Sequence, residues 1–402
     1  LKRELVRVIL KKYWPLLLCL FILGVGTSFI SGKSSVSTWQ DTIDYHKTPE
    51  YKKEGKKSYN EGKKIEIIES ENTKTGVPSF INSYKDYKNF EEYEKSSMQF
   101  FLVKKTAKTA SSYTLQHGSN PLYMLLCLSF LFAFLLLSFD NQSQFNRLLL
   151  KSKFSRLEIL LTKLFAIMGT VLFTSIIGST LFYLIVAYSV PAFYFNIPLA
   201  ILIWKICYTC LFCLVFSASG ILMASLVNKV SLGIVTSIGL VFSFTLFTAS
   251  IADILVLFNP NFSGTAQSFW RYTSVPYEAF TYLLYRNKVL LLLIPFLLLV
   301  ILSLATYWVF KRISLEQQDN YLTLKQLNVP VYIVFVFYTT FSLGVQGIPF
   351  GGAIPTNLSF QADWVVYGLN IVGVFLTSLL IGHMVLYKKF PLISRYYSFK
   401  KK

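Results

Sequence analysis

Residues 121–139, PLYMLLCLSFLFAFLLLSF, run for 19 positions without one charged side chain. A helix needs about 20 such residues to cross the hydrocarbon core of a bilayer. Further apolar runs lie at about 15–31, 160–188, 199–227, 231–255, 288–310, 329–347 and 364–387. They are continuous rather than alternating, which fits helices and not the strands of a barrel. The expected fold is an all-α polytopic membrane protein with about eight transmembrane helices. Only 15% of the 402 residues are charged, against about 25% in soluble domains.

The net charge of +19 could suggest nucleic acid, but its distribution argues otherwise. The span 33–120 holds 15 Lys against 12 acids, which leaves 24 basic and 8 acidic residues elsewhere, mostly just beyond the ends of apolar runs. Basic residues there set orientation and meet anionic lipid headgroups, and no nucleic-acid-binding motif is present. With the N-terminus inside, the inner segments are the N-terminal helix, 140–163, 228–230, 311–328 and the tail. They carry 20 Lys and Arg, whereas the short outer loops 189–198, 256–288 and 348–363 hold three, Arg271, Arg286 and Lys288. Both termini are thus expected in the cytoplasm and the polar insertion outside.

This divides the chain into four parts. Residues 1–31 comprise an amphipathic interfacial helix, LKRELVRVILKKYW, and a first span from about Pro15. No small-x-small cleavage site follows, so the span is expected to be retained. Residues 32–120 form a small extracellular domain. Within it KKIEIIES alternates like a strand, and SFINSYKDYKNFEEYEKSSMQF has helical spacing at Phe80, Tyr84, Tyr87 and either Phe90 or Glu91, with Ser79 as N-cap. Residues 121–312 hold spans 2–6, with a cytoplasmic helix at about 142–158. Residues 313–402 add two spans and a basic tail.

No catalytic chemistry is legible. The chain lacks Walker-type, HExxH, GxSxG and dinucleotide glycine motifs. GIPFGGAIP reads as a loop. His46, His117 and His383 are scattered, and Cys207, Cys210 and Cys213 lie in an apolar run without His or acidic neighbours, so no metal site is expected. All five cysteines sit in apolar runs, which indicates no disulfide framework. Ionisable residues in spans are functional candidates. Lys205 is the clearest, either snorkelling to the outer surface or lining a cavity. Asp253, Arg271 and Glu278 lie near the outer edge as further translocation-path or outer-gate candidates.

The stretch NRLLLKSKFSRLEILLTK (146–163) interrupts two apolar runs with five basic residues and one acid. It can be a surface loop obeying the positive-inside rule. Its order of residues also resembles the segment between the second and third spans of ABC-2-type transporter permeases, through Leu148, Leu149, Leu150, Ser155, Arg156, Glu158, Ile159 and Lys163. Where that family has Gly-Thr this chain has Gln144 and Phe145, and it has Lys153 for the usual Pro, which suggests a more continuous helix. FNPNFSGTAQSFWRY stands where the family has an Asn-Pro-containing outer segment before its sixth span. The likeness covers about residues 1–312.

The resemblance implies a non-catalytic permease subunit of an exporter in a bacterial plasma membrane. Cytoplasmic ABC ATPase subunits would hold ATP and Mg, and a second permease, identical or different, would complete the pathway. Leu148, Lys151, Phe154, Ser155, Arg156 and Glu158 would couple to the ATPase. A Lys- and Tyr-rich outer domain beside aromatic-rich spans points the substrate class toward an amphipathic or antimicrobial peptide or a lipid-like molecule. Two rivals remain: a membrane sensor or scaffold that recognises an extracellular ligand, and a transporter driven by an ion gradient, for which buried acids in the spans are scarce.

Overall fold

The computed structural model describes residues 2–72, 87–107, 110–118, 120–143, 145–227, 230–258, 288–312, 322–345 and 361–387. They form a helical membrane protein with one small hairpin. Among the described residues, six helices are long and apolar enough to span a bilayer: α1 (Arg3–His46), α4 (Leu122–Gln142), α6 (Arg156–Ser189), α7 (Leu199–Leu226), α9 (Lys288–Arg312) and α11 (Gln361–Tyr387). Two shorter apolar helical stretches, Val230–Leu240 within α8 (Val230–Phe258) and Asn328–Gly344, occupy the remaining positions expected from the apolar runs. The latter comprises α10 (Asn328–Thr339) and a π-helical turn, Thr340–Gly344.

The separate interfacial helix expected at the N-terminus is absent as an element. Helix α1 runs unbroken for 44 residues through Pro15. The reason is a continuous packing stripe: Leu5, Ile9, Tyr13, Leu17, Leu20, Gly24, Ser28 and Gly32 recur at three- and four-residue spacing and are all buried. This stripe lies mainly against α6 and also against α4. The α1–α6 seam is made of small residues, Gly24 facing Thr174 and Ser28 facing Gly178. Such pairs let membrane helices approach closely enough for dispersion to hold them, since lipid offers no hydrophobic drive between them. The exposed face of α1 is apolar as far as Phe29 and Ile30, then polar from Lys33. The helix therefore continues for about 20 Å past the apolar stretch.

The α4–α7 contact is tighter still. A Cβ added at Gly220 would fall 2.3 Å from the Phe130 carbonyl oxygen. Helix α9 packs on α7, and α10, the π turn and α11 form a second group joined to α8. The link at the end of α7 is specific. Thr323 donates its main-chain N–H to the Leu226 carbonyl at 2.8 Å and its hydroxyl to that of Ser225 at 2.8 Å, satisfying terminal carbonyls that the helix leaves open.

The insertion comprises α2 (Pro49–Asn72), α3 (Phe90–Met98) and the antiparallel pair β1 (Phe101–Ala107) and β2 (Ala110–Leu115). KKIEIIES is not a strand; it lies inside α2, where continuation of an established helix overrides the local preference of its isoleucines. The helix expected from Ser79 falls largely outside the described residues. What is described begins later, at Phe90, with Asn89 as the N-cap accepting from Glu92 N–H at 2.9 Å. The hairpin rests on the ends of α1 and α6, where Phe100 and Phe101 pack with Trp39, Phe182, Tyr183 and Val186. Asn196 closes its edge, accepting from Phe101 N–H at 3.1 Å and donating to Phe101 O at 2.8 Å.

Candidate functional site

The opposite end of the bundle from the insertion carries a buried ion cluster. Helix α4 terminates its apolar run at Asp140, which is 0% exposed, and Lys163, one turn into the apolar part of α6, is 1% exposed. The Lys163 ammonium donates to an Asp140 carboxylate oxygen and to the side-chain oxygen of Asn146. Tyr13 of α1 donates its hydroxyl to the same carboxylate oxygen. Lys12 lies 3.0 Å from the other oxygen, donates to Ser143 Oγ at 2.7 Å, and stands 3.8 Å from the centre of the Phe145 ring.

A lone carboxylate in such a place would cost several kcal/mol, roughly, and the arrangement offsets this with two cations and three further polar groups. The excess positive charge falls partly on the Phe145 face, where a cation over an aromatic ring is stabilised, and partly on half-exposed Lys12. The consequence is mechanical. Asp140 fastens α1, the end of α4 and the start of α6 to each other, and Lys163 and Lys12 extend the tie to the segment after α4.

That segment is the stretch the sequence singles out. The continuous helix expected over about 142–158 is in fact two helices and a turn. The short α5 (Phe145–Leu150) stops where Ser152 donates both its N–H and its hydroxyl to the Leu149 carbonyl. Helix α6 then restarts with a capping box: Glu158 N–H donates to Ser155 Oγ at 3.2 Å and Ser155 N–H to Glu158 Oε2 at 2.9 Å. The serines supply the break that Gly and Pro supply elsewhere, because their hydroxyls compete for main-chain groups.

The N-terminus of α1 is tied to this turn by two ion pairs, Lys2–Glu158 at 3.3 Å and Glu4–Lys153 at 3.0 Å. The ammonium groups of Lys2 and Lys153 stand 5.4 and 5.8 Å from the centre of the Phe154 ring. The Ser155 N–H and then Lys2 hold the Glu158 carboxyl below its ordinary range, and Lys153 does the same for Glu4. Arg156 turns away and donates to the Lys311 carbonyl at the end of α9. Leu149 is buried in the core with Leu5, Ile9 and Ile159, while Leu148 is 69% exposed and Lys151 is exposed beside it.

The sequence-derived residues thus separate into kinds. Ser155 and Glu158 shape the turn, Phe154 and Arg156 pack it against α1 and α9, and Leu148 and Lys151 project from it. Sequence reasoning missed Asp140, Tyr13, Lys12 and Asn146. A signal existed: the single acid that ends a charge-free run has a complement in the single base that enters the next. At the insertion end, Lys205 sits half-buried about two turns into α7, and its carbonyl accepts from Thr209 Oγ1 at 2.9 Å. Asp253 falls in α8, and Arg271 and Glu278 lie outside the described residues. Among the described residues no group of three or more His, Cys, Asp and Glu is placed to hold a metal.

No protein-family model, curated protein or solved structure matches this chain.

Proposed function

We propose that this chain is the transmembrane subunit of an ATP-driven exporter of the ABC-2 type, and that residues 145–158 are where a separate cytoplasmic ATPase docks. The observation that carries this reading is Leu148. It is 69% exposed on a short helix that is braced on its other side by Leu149, Asn146 and Phe145. A rigidly presented leucine with Lys151 beside it has the make-up of an interface anchor with a charged rim: the apolar group supplies affinity and the charge steers approach.

In this reading α5 and the N-terminus are cytoplasmic and the insertion is outside. The membrane is the bacterial plasma membrane, a second permease completes the pathway, and ATP with Mg belongs to the ATPase. Closure of the ATPases pushes α5. The Asp140–Lys163 cluster passes that displacement to α1, α4 and α6 as one body, and the substrate leaves toward the insertion. An amphipathic peptide or a lipid-like molecule agrees with aromatic-rich spans beneath a Lys- and Tyr-rich domain.

A second reading, a membrane sensor or scaffold, draws on α1, which joins the insertion to the basic end without a break. One experiment separates the two. The chain purified from its native membrane in mild detergent should bring with it a subunit that hydrolyses Mg-ATP. Leu148→Asp should lower the co-purified activity at least tenfold and leave the amount and melting of this chain unchanged. Wild-type protein that carries no hydrolytic activity, or undiminished activity with Leu148→Asp, overturns the proposal.

A further inference from the structure

The corner that fastens the insertion to the end of α1 is built around two histidines. His46 is the last residue of α1, and its ring stacks on Tyr51 of α2 with centroids 3.9 Å apart. His117 follows β2. Its Nδ1 faces Thr42 Oγ1 of α1 at 3.4 Å, and its ring lies 6.2 Å from that of Phe100. The next residue, Gly118, has φ +77°, and a Cβ there would fall 2.5 Å from Ser35 Cα, so the chain leaving His117 is pressed against α1. Only glycine enters that conformation freely while passing so close.

Both histidines are 6% exposed. Among the described residues no partner in good hydrogen-bond geometry reaches His46 Nδ1 or His117 Nε2, although the Ser97 and Gln99 carbonyls face the latter ring, and none reaches Gln99 Oε1 or Gln116 Oε1 in the segments that adjoin them. Buried polar atoms are nearly always partnered in folded proteins, so four exceptions among so few residues mark a corner held with little to spare. His46 also lies about 20 Å along the helix from the end of the apolar face of α1, well clear of the hydrocarbon.

Among the described residues no charged side chain pairs with either ring. On α1, Asp44 and Lys47 are exposed and pair with each other at 2.8 Å. Tyr45 and Tyr51 are the titratable side chains against His46. On α2, Glu50 is exposed, and α3 contributes Glu94 and Lys95, which bond neither ring. Facing His117 are Thr42, His46 and the carbonyls of Ser97 and Gln99.

We propose that His46 and His117 form a proton-operated latch between the insertion and α1: neutral, the two rings keep the corner closed, and protonated, they open it. Burial pushes both imidazoles below their ordinary value. For His117 the Ser97 and Gln99 carbonyls act in the opposite direction without overcoming burial, and charge on His46 lowers it further. The sign follows. A base whose folded value is depressed contributes its full stabilisation above the unfolded value, about 6.5. That contribution is lost as pH falls through the lower folded value. Acid therefore loosens the His46–Tyr51 stack and the nearby bond from Trp39 Nε1 to the Met98 carbonyl. The latch acts on the fold of the insertion and is independent of which side of the membrane it faces.

The test is hydrogen exchange on the full chain in lipid nanodiscs at pH 7.5, 6.5, 5.5 and 5.0, corrected for intrinsic rates. Protection in peptides covering 39–47 and 113–118 should fall at least tenfold across that range while residues 122–140 and 156–189 stay constant. His117→Gln and His46→Phe should each reduce the fall, and the double variant should abolish it. Constant wild-type protection overturns the latch, as does an undiminished fall in a double variant still protected at pH 7.5. If either substitution already opens the corner at pH 7.5, NMR titration of wild-type protein with labelled histidines decides: midpoints below 6.5 support the latch and midpoints at or above it refute it.

Discussion

Arg156 reaches from the first turn of α6 to the main-chain carbonyl of Lys311, its Nη1 2.5 Å from that oxygen across 155 positions of sequence. A guanidinium at the carboxyl end of α9 meets carbonyls that have no partner within the helix and carry its partial negative charge. The arginine at the centre of the basic stretch is therefore engaged inside the chain. Both groups are exposed, so Arg156→Gln should cost under about 1 kcal/mol, roughly the range of surface ion pairs. The visible effect should be local: a nitroxide at Lys311 becomes more mobile while melting in detergent hardly moves. An unchanged spectrum would show that the bond does not hold the end of α9.

The Asp140–Lys163 pair should behave as a unit. Lys163→Met alone leaves a buried carboxylate short of its main partner, and Asp140→Leu alone leaves a buried ammonium; each should cost about 3–5 kcal/mol. The double variant, with apolar groups of similar bulk, should recover most of that loss. Unfolding in mixed micelles reads the cycle, and strictly additive losses would contradict the geometry.

Glycines on the same kind of helix should differ sharply. Gly220→Ala places a methyl group 2.3 Å from the Phe130 carbonyl oxygen, against main chain that no rotamer change can move, so α4 and α7 must part. Overpacking of this kind costs about 1–3 kcal/mol. Gly26→Ala meets nothing within 4 Å and should be neutral. Equal melting temperatures for the two variants would argue against the close α4–α7 approach.

Acid should free the basic turn from α1. The carboxyls of Glu158 and Glu4 sit below their ordinary values because of the Ser155 N–H with Lys2, and of Lys153. Their contribution is therefore complete above the usual carboxylate value, about 4.3, and is lost as pH falls below it. A nitroxide at Lys151 should keep the same mobility between pH 6 and 8 and gain mobility below about pH 4. A change centred between pH 6 and 8 would point to a different group.

The spans were legible because a single solvent requirement defines them. The run read at 199–227 is helix Leu199–Leu226, and the run at 160–188 lies within Arg156–Ser189. Bilayer thickness sets the number of apolar residues regardless of what they touch. The hairpin at 101–115 was not legible, because its strands alternate weakly and their stabilising partners, Trp39 and Val186, are far away in sequence. The same holds for the candidate site. The basic stretch announced itself, but its brace depends on Asp140 meeting residues from two other segments, and no spacing rule encodes such a meeting. Pro15 misled in the other direction. A missing N–H weakens one turn, yet the stripe from Leu5 to Gly32 keeps the helix continuous.

That continuity has a kinematic consequence. Forty-four residues at 1.5 Å each make a rod of about 66 Å, and a helix resists stretching and twisting far more than a loop does. Packed on α6 from Leu5 to Gly32, with its closest approaches near the middle at Gly24 and Ser28, the rod tilts together with α6 about that region. A tilt of about 10° there carries each end about 6 Å, in opposite directions, by the same helical rise. Whatever draws the Lys2 end sideways thus swings His46 the other way, and the two faces of the membrane are geared together by a single piece of backbone.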